Sequence, residues 1–587
     1  MQARMMDTEV YRDYFLCKLD NPIQDFEMYD GHPLDIAGLH AAMSSDTIVS
    51  FNGNHFDMPI LAVALAGGTC GQIKQACDEI IGHNLQPWEF YSRWNLTAPD
   101  FDHIDLIEIA PGRTSLKEYG GKMHSRHMLD LPIEPSASVS MTDRVILREY
   151  CGNDLATTRD LFNTFPAQIA LRVQMSAEYG LELRSKSDPQ IAETIMRELT
   201  DIRQRVEVSP GTRFFYRAPD WLVYQGKDLR DTLIMATHSE FKTTFKGGVE
   251  MPDALADHQI RIGRSVYRMG IGGLHSSEQN QLHLADAEYT LQDVDVASYY
   301  PKLMIQLGVT PPALGDKFAA IYRGWYDRRL AAKKAGNKKD ADSLKTLLNG
   351  TFGKLGSKWS IFYSPTDMIR VTLTGQLALL MLIEMLEISG IGVVSANTDG
   401  IVIRCRRDMT WLRDQIVAWW CKLTSFETEA ADYAWLASRD VNNYVAMKTD
   451  GTIKLKGAYA RPVPVATSWP NPTGEVCIDA VCAYLRDGTP IAATIKACRD
   501  IRKFVHIRKV KGGGEWRGEF LGRAVRWYYA TEGDPILYRT NGNKVAGSDG
   551  CRPMMELPED YGVPEDLDYS RYIADAVGMV RDLGVVV

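Results

Sequence analysis

The sequence predicts a multidomain chain of mixed α/β and α+β character, and three observations carry that expectation. Its 587 residues exceed what one hydrophobic core serves, so several cores are expected. The first ~165 residues alternate strand-like and helix-like segments, which is an α/β pattern. Further along, two helical segments precede a β-hairpin pattern, as in an α+β body.

Tyr11, Tyr14, Phe15 and Leu16 give residues 10–19 the composition of a strand. Residues 47–51 read as another strand and 58–66 as a helix. Val145, Leu147, Tyr150, Leu155 and Leu161 give residues 144–162 a helical period. Residues 185–259 mix helix and loop. Gly270, Gly272 and Gly273 make residues 267–276 either a connector between two bodies or a tight turn. Tyr289–Val296 reads as a buried strand. Phe318, Ile321, Tyr322, Trp325 and Tyr326 form one face of a helix over Asp316–Lys334, which Gly336-Asn337 breaks. A second helix is expected over residues 340–352, with Leu344, Leu347, Leu348 and Phe352 aligned and Gly353 ending it. Together they make a finger-like hairpin whose tip carries Lys333, Lys334, Lys338 and Lys339. Residues 391–405 read as a β-hairpin turning at Asn397-Thr398-Asp399-Gly400.

Apolar and charged fractions of 45% and 24% are ordinary for globular proteins. A net charge of −9 argues mildly against a nucleic-acid partner, but distribution matters more than the sum. Residues 496–526 hold ten Lys or Arg against three acidic residues, about +7. This segment, with Trp516, Trp527, Tyr528 and Tyr529, reads as a grip on duplex backbone through Arg502, Lys503 and Lys511 and as a basic helix pair with aromatics in the core, each holding for different residues. The ten cysteines contain no Cys-x-x-Cys pair and no disulfide framework, so a reducing cytoplasm is expected, with no secretory leader. The apolar stretch 371–396 is interrupted by Gln376, Glu384 and Glu387 and reads as a buried helix plus strand, so no membrane association is expected.

Two groups of carboxylates carry the chemistry. Asp7 and Glu9 are two apart on a strand and share a face. Asp57 closes the segment Asn52-Gly53-Asn54-His55-Phe56-Asp57, and Tyr150 and Asp154 are four apart on a helix. Four carboxylates and a tyrosine on separate elements suit phosphodiester hydrolysis with two Mg²⁺ ions, Tyr150 orienting the attacking water.

In the second group, Asp295 leaves an apolar strand, where a lone charge needs a metal or a partner. Asp399 sits at the hairpin tip. The two are expected on adjacent strands, sharing two Mg²⁺ ions with the Val296 carbonyl as a further ligand. Lys345 and Asn349 share a helix face, and Arg329 and Lys333 repeat that spacing on the preceding helix. Their cations make a cradle for a triphosphate, against the alternative of a solvated basic face.

The first three segments resemble the exonuclease motifs of family B DNA polymerases of the DEDDy type. The segments Asp295-Val296-Ala297-Ser298-Tyr299-Tyr300-Pro301, Lys345–Gly353 and Asn397–Gly400 resemble their polymerase motifs A, B and C, in order. The resemblance implies a ribonuclease H-like exonuclease domain over 1–205 and a right-hand polymerase. Its palm would cover 206–315 and 357–460, its fingers 316–356 and its thumb 461–587. It implies that Asp7, Glu9, Asp57 and Asp154 hold exonuclease metals and that Asn52 and Phe56 contact the terminal nucleotides. Asp295 and Asp399 become the polymerase aspartates and Tyr300 a steric gate against a 2′-hydroxyl. Arg329, Lys333, Lys345 and Asn349 bind the incoming dNTP, and Lys456, in Lys454-Leu455-Lys456-Gly457, contacts primer–template. Thr114-Ser115-Leu116 resembles a single-strand contact motif, or else holds a loop-capping serine.

The implied cofactor is Mg²⁺, with Mn²⁺ as a substitute. The implied partners are primer–template DNA, dNTPs and replication accessory proteins. Motif C departs from the family's Asp-Thr-Asp in having Asn397, and motif B has Gly350 and Phe352 where serine and tyrosine are commoner. Short spacing from Asp295 to Asn349 and from Asn349 to Asp399 leaves little room for the insertions of protein-primed relatives. Asp7 lies near the start, so no extra N-terminal domain is expected, and a compact bacteriophage-type enzyme in a host cytoplasm fits the pattern. The competing readings are an exonuclease with a decayed polymerase half and a non-catalytic DNA-binding protein.

Overall fold

The structure is a computed structural model describing residues 3–465 and 468–586. Its mixed α/β chain forms two compact units. The first comprises Met1–Lys186, Arg461–Ala480 and Ala492–Ala574, and the second Ser187–Ala460, Val481–Ile491 and Asp575–Val587.

In the first unit, strands β1 (Ala3–Val10), β2 (Tyr14–Leu19) and β3 (Gln24–Tyr29) are followed by helix α1 (Ile36–Ser44) and strand β4 (Thr47–Ser50). Helices α2 (Asp57–Leu65), α3 (Cys70–His83) and α4 (Pro87–Trp94) precede strand β5 (His103–Asp105), and α5 (Leu116–Lys122) and α6 (Met141–Thr164) follow it. The sheet order is β3-β2-β1-β4-β5, with β1, β4 and β5 parallel and β2 and β3 antiparallel to their neighbours. The strand expected over residues 10–19 is thus two: β1 ends at Val10, and Tyr11 N donates to Tyr14 O at 2.9 Å across a turn. Tyr11 is buried, so the turn keeps the apolar signature of a strand. One core holds Met6, Phe15, Ile48 and Leu61. A second, with Met5, Val49, Tyr119 and Leu155, takes in Trp469. A Ser140–Asp143 capping box starts α6.

The basic stretch at 496–526 is not a helix pair. It folds largely as a β-hairpin, His506–Trp516 with Glu519–Tyr529, and its aromatics Trp527, Tyr528 and Tyr529 are buried. Gly512 and Gly513, at φ +81° and +91°, bulge the first strand and break the alternation that announces a strand. Arg502 pairs with Asp500 at 2.8 Å and Lys503 with Asp479 at 2.5 Å. Arg526 is fully buried, and its guanidinium donates to the carbonyls of Met554, Ser125, Arg126 and Met555 at 2.7–3.2 Å. Arg526→Met strands those carbonyls. We expect it to destabilise the fold by on the order of 3 kcal/mol, seen as a lowered urea midpoint. An unchanged midpoint would disprove the scaffolding role.

The second unit is built on a ten-stranded sheet. Tyr289–Val296 lies between Gly400–Arg406 and Thr428–Asp440, antiparallel to both. Gly392–Asn397 and Gly400–Arg406 form the expected hairpin. Ser265–Met269 and Leu274–Ser276 pair within the same sheet, so the glycines at 270–273 make a turn and not a connector between bodies. The 24-residue Pro365–Ile388 helix is long and apolar enough to cross a membrane, but 83% of its apolar window is buried. The finger-like hairpin pairs Asp316–Lys334 with Lys338–Lys354; Asn337 caps the second helix, which therefore begins two residues early. At Gly350 an added Cβ would lie 2.8 Å from Asp188 O, so the backbones of this helix and of Asp188–Thr200 approach as only glycine permits.

Candidate active sites

In the first unit, α6 packs on β1 and brings Tyr150, Cys151 and Asp154 over Asp7 and Glu9. Asp57 enters from the first turn of α2, where the Thr8 hydroxyl donates to its Oδ1 at 2.6 Å. Asn52 opens that connection in a left-handed conformation, φ +65°. Its backbone N and that of Asn54 donate to Asp105 at 2.7 and 2.9 Å, which fixes the loop. Phe56 packs against the core of the unit. Lys117, on α5, pairs with Asp154 and lies 4.2 Å from the Tyr150 ring centroid. Ser115 caps the helix α5, where a loop cap was the expected alternative, by accepting from Glu118 N.

The electrostatics are those of buried acids held together with a single nearby cation, Lys117, opposing their repulsion. Burial, then repulsion from Asp57, Asp154 and Glu9, raises the Asp7 pKa well above its usual range. Burial lifts Glu9 from 4.5 to about 8 and Asp57 from 3.8 to about 7. Burial also raises Tyr150, which stays a phenol. These groups bind more protons folded than unfolded between about pH 4 and pH 8, so stability must fall as pH rises through that window. We therefore expect the melting temperature in EDTA to drop from pH 5 to pH 8, and Mg²⁺ to restore more of it at pH 8 than at pH 6. A profile that rises with pH and ignores Mg²⁺ would contradict the arrangement.

In the second unit, Asp295 pairs in register with Gly400, and Val296 N donates to Asp399 O at 2.8 Å. Gly400 has no room for a side chain, because a Cβ would lie 2.0 Å from Asp295 Oδ1. Gly400→Ala is accordingly expected to displace Asp295 and cut any activity that depends on it by at least about tenfold, while leaving activities of the first unit intact. Full activity in this variant would refute the packing argument. Burial raises Asp295 to about 6, with Asp293 and Asp399 adding to the shift, and burial also raises Asp399. Lys456 is the foremost cation opposing the shift at Asp399.

Thr398, between Asn397 and Asp399, is held at φ +51°, an unfavourable conformation for a β-branched residue. Its N donates to Leu274 O at 2.9 Å, and a Cβ on Gly273 would lie 2.8 Å from its Oγ1. The Asn397 amide donates to Val441 O and Asn442 Oδ1 at 3.2 Å, and its oxygen accepts from Thr398 Oγ1 at 3.0 Å. It thus ties the turn to the following loop, and an aspartate could not donate those bonds.

Tyr300 stacks on Phe352 of the finger-like hairpin, centroids 4.2 Å apart, and its hydroxyl donates to Gly272 O at 2.6 Å. Arg329 is buried and bonds Ser298, which sits at φ +53°. Lys333 reaches Glu429 at 3.5 Å. Lys345 and Asn349 share an exposed face of the second helix, as expected from their spacing.

No protein-family model matches the chain, and no curated protein matches it. Among solved structures it is similar to the family B DNA polymerase of the hyperthermophilic archaeon Pyrobaculum calidifontis. The identity is 15% and the TM-score 0.42, over 100% of this chain and 78% of that one.

Several neighbours of these sites were not expected from sequence. Lys117, Asp105 and Cys151 belong to the first site; Asp293 and Tyr433 to the second, where Lys454, expected only as part of a primer–template motif, binds Asp293. Asp293 accepts from Tyr433 Oη and from Lys454 Nζ, the latter at 2.7 Å. The signal for it was present: Asp293 and Asp295 repeat the two-residue spacing of Asp7 and Glu9, as do Lys454 and Lys456.

Proposed function

We propose that the protein is a template-directed DNA polymerase with its own 3′→5′ proofreading exonuclease, each activity using carboxylates to hold two Mg²⁺ ions. The observation that carries the reading is the pairing of Asp295 with the Asp399 turn on adjacent strands, beside a two-helix hairpin bearing Arg329, Lys333, Lys345 and Asn349. Both acidic groups fit hard divalent ions, because each presents several carboxylate oxygens close together.

In synthesis, Asp295, Asp399 and the Val296 carbonyl would hold the ions, and Lys345, Arg329, Lys333 and Asn349 would bind the triphosphate. Tyr300, backed by Phe352, would form the floor against which a 2′-hydroxyl clashes. Lys456 would reach the primer–template. In trimming, Asp7, Glu9, Asp57 and Asp154 would hold the ions, Asn52 and Phe56 would contact the frayed terminal nucleotides, and Tyr150, a phenol, would orient the attacking water. Mg²⁺, when bound, supplies the acidity and charge that activate hydroxyl or water and offset the leaving oxygen. The chain itself contributes position and a low-dielectric surround.

Primer extension tests the reading. The chain should extend a primer on a template with dNTPs and Mg²⁺, and without dNTPs should shorten it from the 3′ end. A second reading, an exonuclease with a decayed polymerase half, draws on the engagement of the Asn397 amide in structural bonds. Shortening without any extension would favour it.

A further inference from the structure

Cys151 follows Tyr150 on α6 and is fully buried. Its Sγ lies 3.8 Å from Asp7 Oδ2 and 4.0 Å from the Asp7 carbonyl oxygen. One ligand atom each from Asp7, Glu9 and Cys151 fall within 4.8 Å of one another. A buried thiol alone is ordinary core, but Glu9 is not. It is 7% exposed, and its carboxylate has no hydrogen bond or ion pair among the described residues. A buried acid without a partner is costly, and a cation enclosed by these three donors removes that cost.

The donor set is not what Mg²⁺ requires, because that ion takes oxygen ligands and retains water. Tetrahedral zinc has Zn–S near 2.3 Å and Zn–O near 2.0 Å, which separates sulfur and oxygen by roughly 3.5 Å. The observed 3.8 Å between Sγ and Oδ2 needs little adjustment.

We propose that Cys151 is a third protein donor at the Asp7–Glu9 metal site and makes it a Zn²⁺-selective position. The proposal rests on reading Asp7 and Glu9 as metal ligands, but not on the chain being a nuclease. On binding, the sulfur–metal bond forms as the thiol proton leaves to solvent, and no electron is transferred. Among the described residues, Asp7, Glu9 and Cys151 are the one such group of three, so the Asp295–Asp399 pair lacks a soft donor of this kind. Zn²⁺ should therefore displace Mg²⁺ at the first site selectively.

The test is titration of the full chain with Co²⁺, then Zn²⁺. The wild type should develop a thiolate-to-cobalt charge-transfer band that Zn²⁺ abolishes. Cys151→Ser should lose the band and bind Zn²⁺ at least about tenfold more weakly. The band must also vanish in Glu9→Gln, which decides the matter if Cys151→Ser fails to fold. Cobalt binding without the band would overturn the proposal, as would the same band in Cys151→Ser, whose source would be one of the other nine cysteines, or in Glu9→Gln, which would take Glu9 out of the donor set. Degradation of single-stranded DNA in Mg²⁺ is measured separately. A band without degradation would retain the site and reject the nuclease reading.

Discussion

Asp295→Ala is expected to stop primer extension while leaving 3′-end shortening intact. The side chain comes from a strand flanked on both sides, opposite Gly400 on one neighbour and Glu429 on the other, and this double register fixes where its carboxylate lies. Loss of one carboxylate from a two-ion site removes several kcal/mol of transition-state stabilisation. At about 1.36 kcal/mol per tenfold, extension should fall on the order of a thousandfold or more. The fold should survive, because the variant deletes a solvent-accessible carboxylate whose charge Asp293 and Asp399 already disfavour. Single-turnover extension on a matched primer, with circular dichroism as control, measures both halves. Undiminished extension would remove Asp295 from the chemistry altogether.

Asp7→Ala should give the mirror result on a mismatched primer: shortening lost by on the order of a thousandfold, extension of a matched end retained. A second consequence separates this site from a merely structural acidic group. Asp7 is repelled by Asp57, Asp154 and Glu9, so removing it should raise the melting temperature in EDTA. It should also shrink the stabilisation that Mg²⁺ confers. A structural carboxylate would behave in the opposite way, since its loss would lower the melting temperature with or without the ion. Simultaneous loss of shortening and extension would point to misfolding and would be visible in the same melts.

Both acidic groups were legible because carboxylates on one strand face repeat every second residue, and on one helix face every third or fourth. That rule found Asp7 with Glu9 and Tyr150 with Asp154, and the hairpin signature found Asp399. The same rule applied to Asp293, which passed as an ordinary strand residue because its partner, Lys454, is distant in sequence. Lys117 and Asp105 act across elements and carry no local period. Cys151 was passed over because a cysteine on a helix reads as core. The hairpin of residues 506–529 was hidden by its bulge at Gly512 and Gly513, which interrupts the period of two. Counting basic residues could not show that Arg526 is a scaffold for backbone carbonyls or that Arg502 and Lys503 have acidic partners.

The flat contact of Tyr300 with Phe352 joins a ring just past the Asp295 strand to a helix of the two-helix hairpin. Neither ring can turn freely while they remain face to face, so under the proposed function discrimination between sugars and the posture of that helix would be one mechanical variable. A smaller residue at 352 would loosen both together: ribonucleotides would be accepted more readily, and the correct deoxynucleotide would be held less firmly.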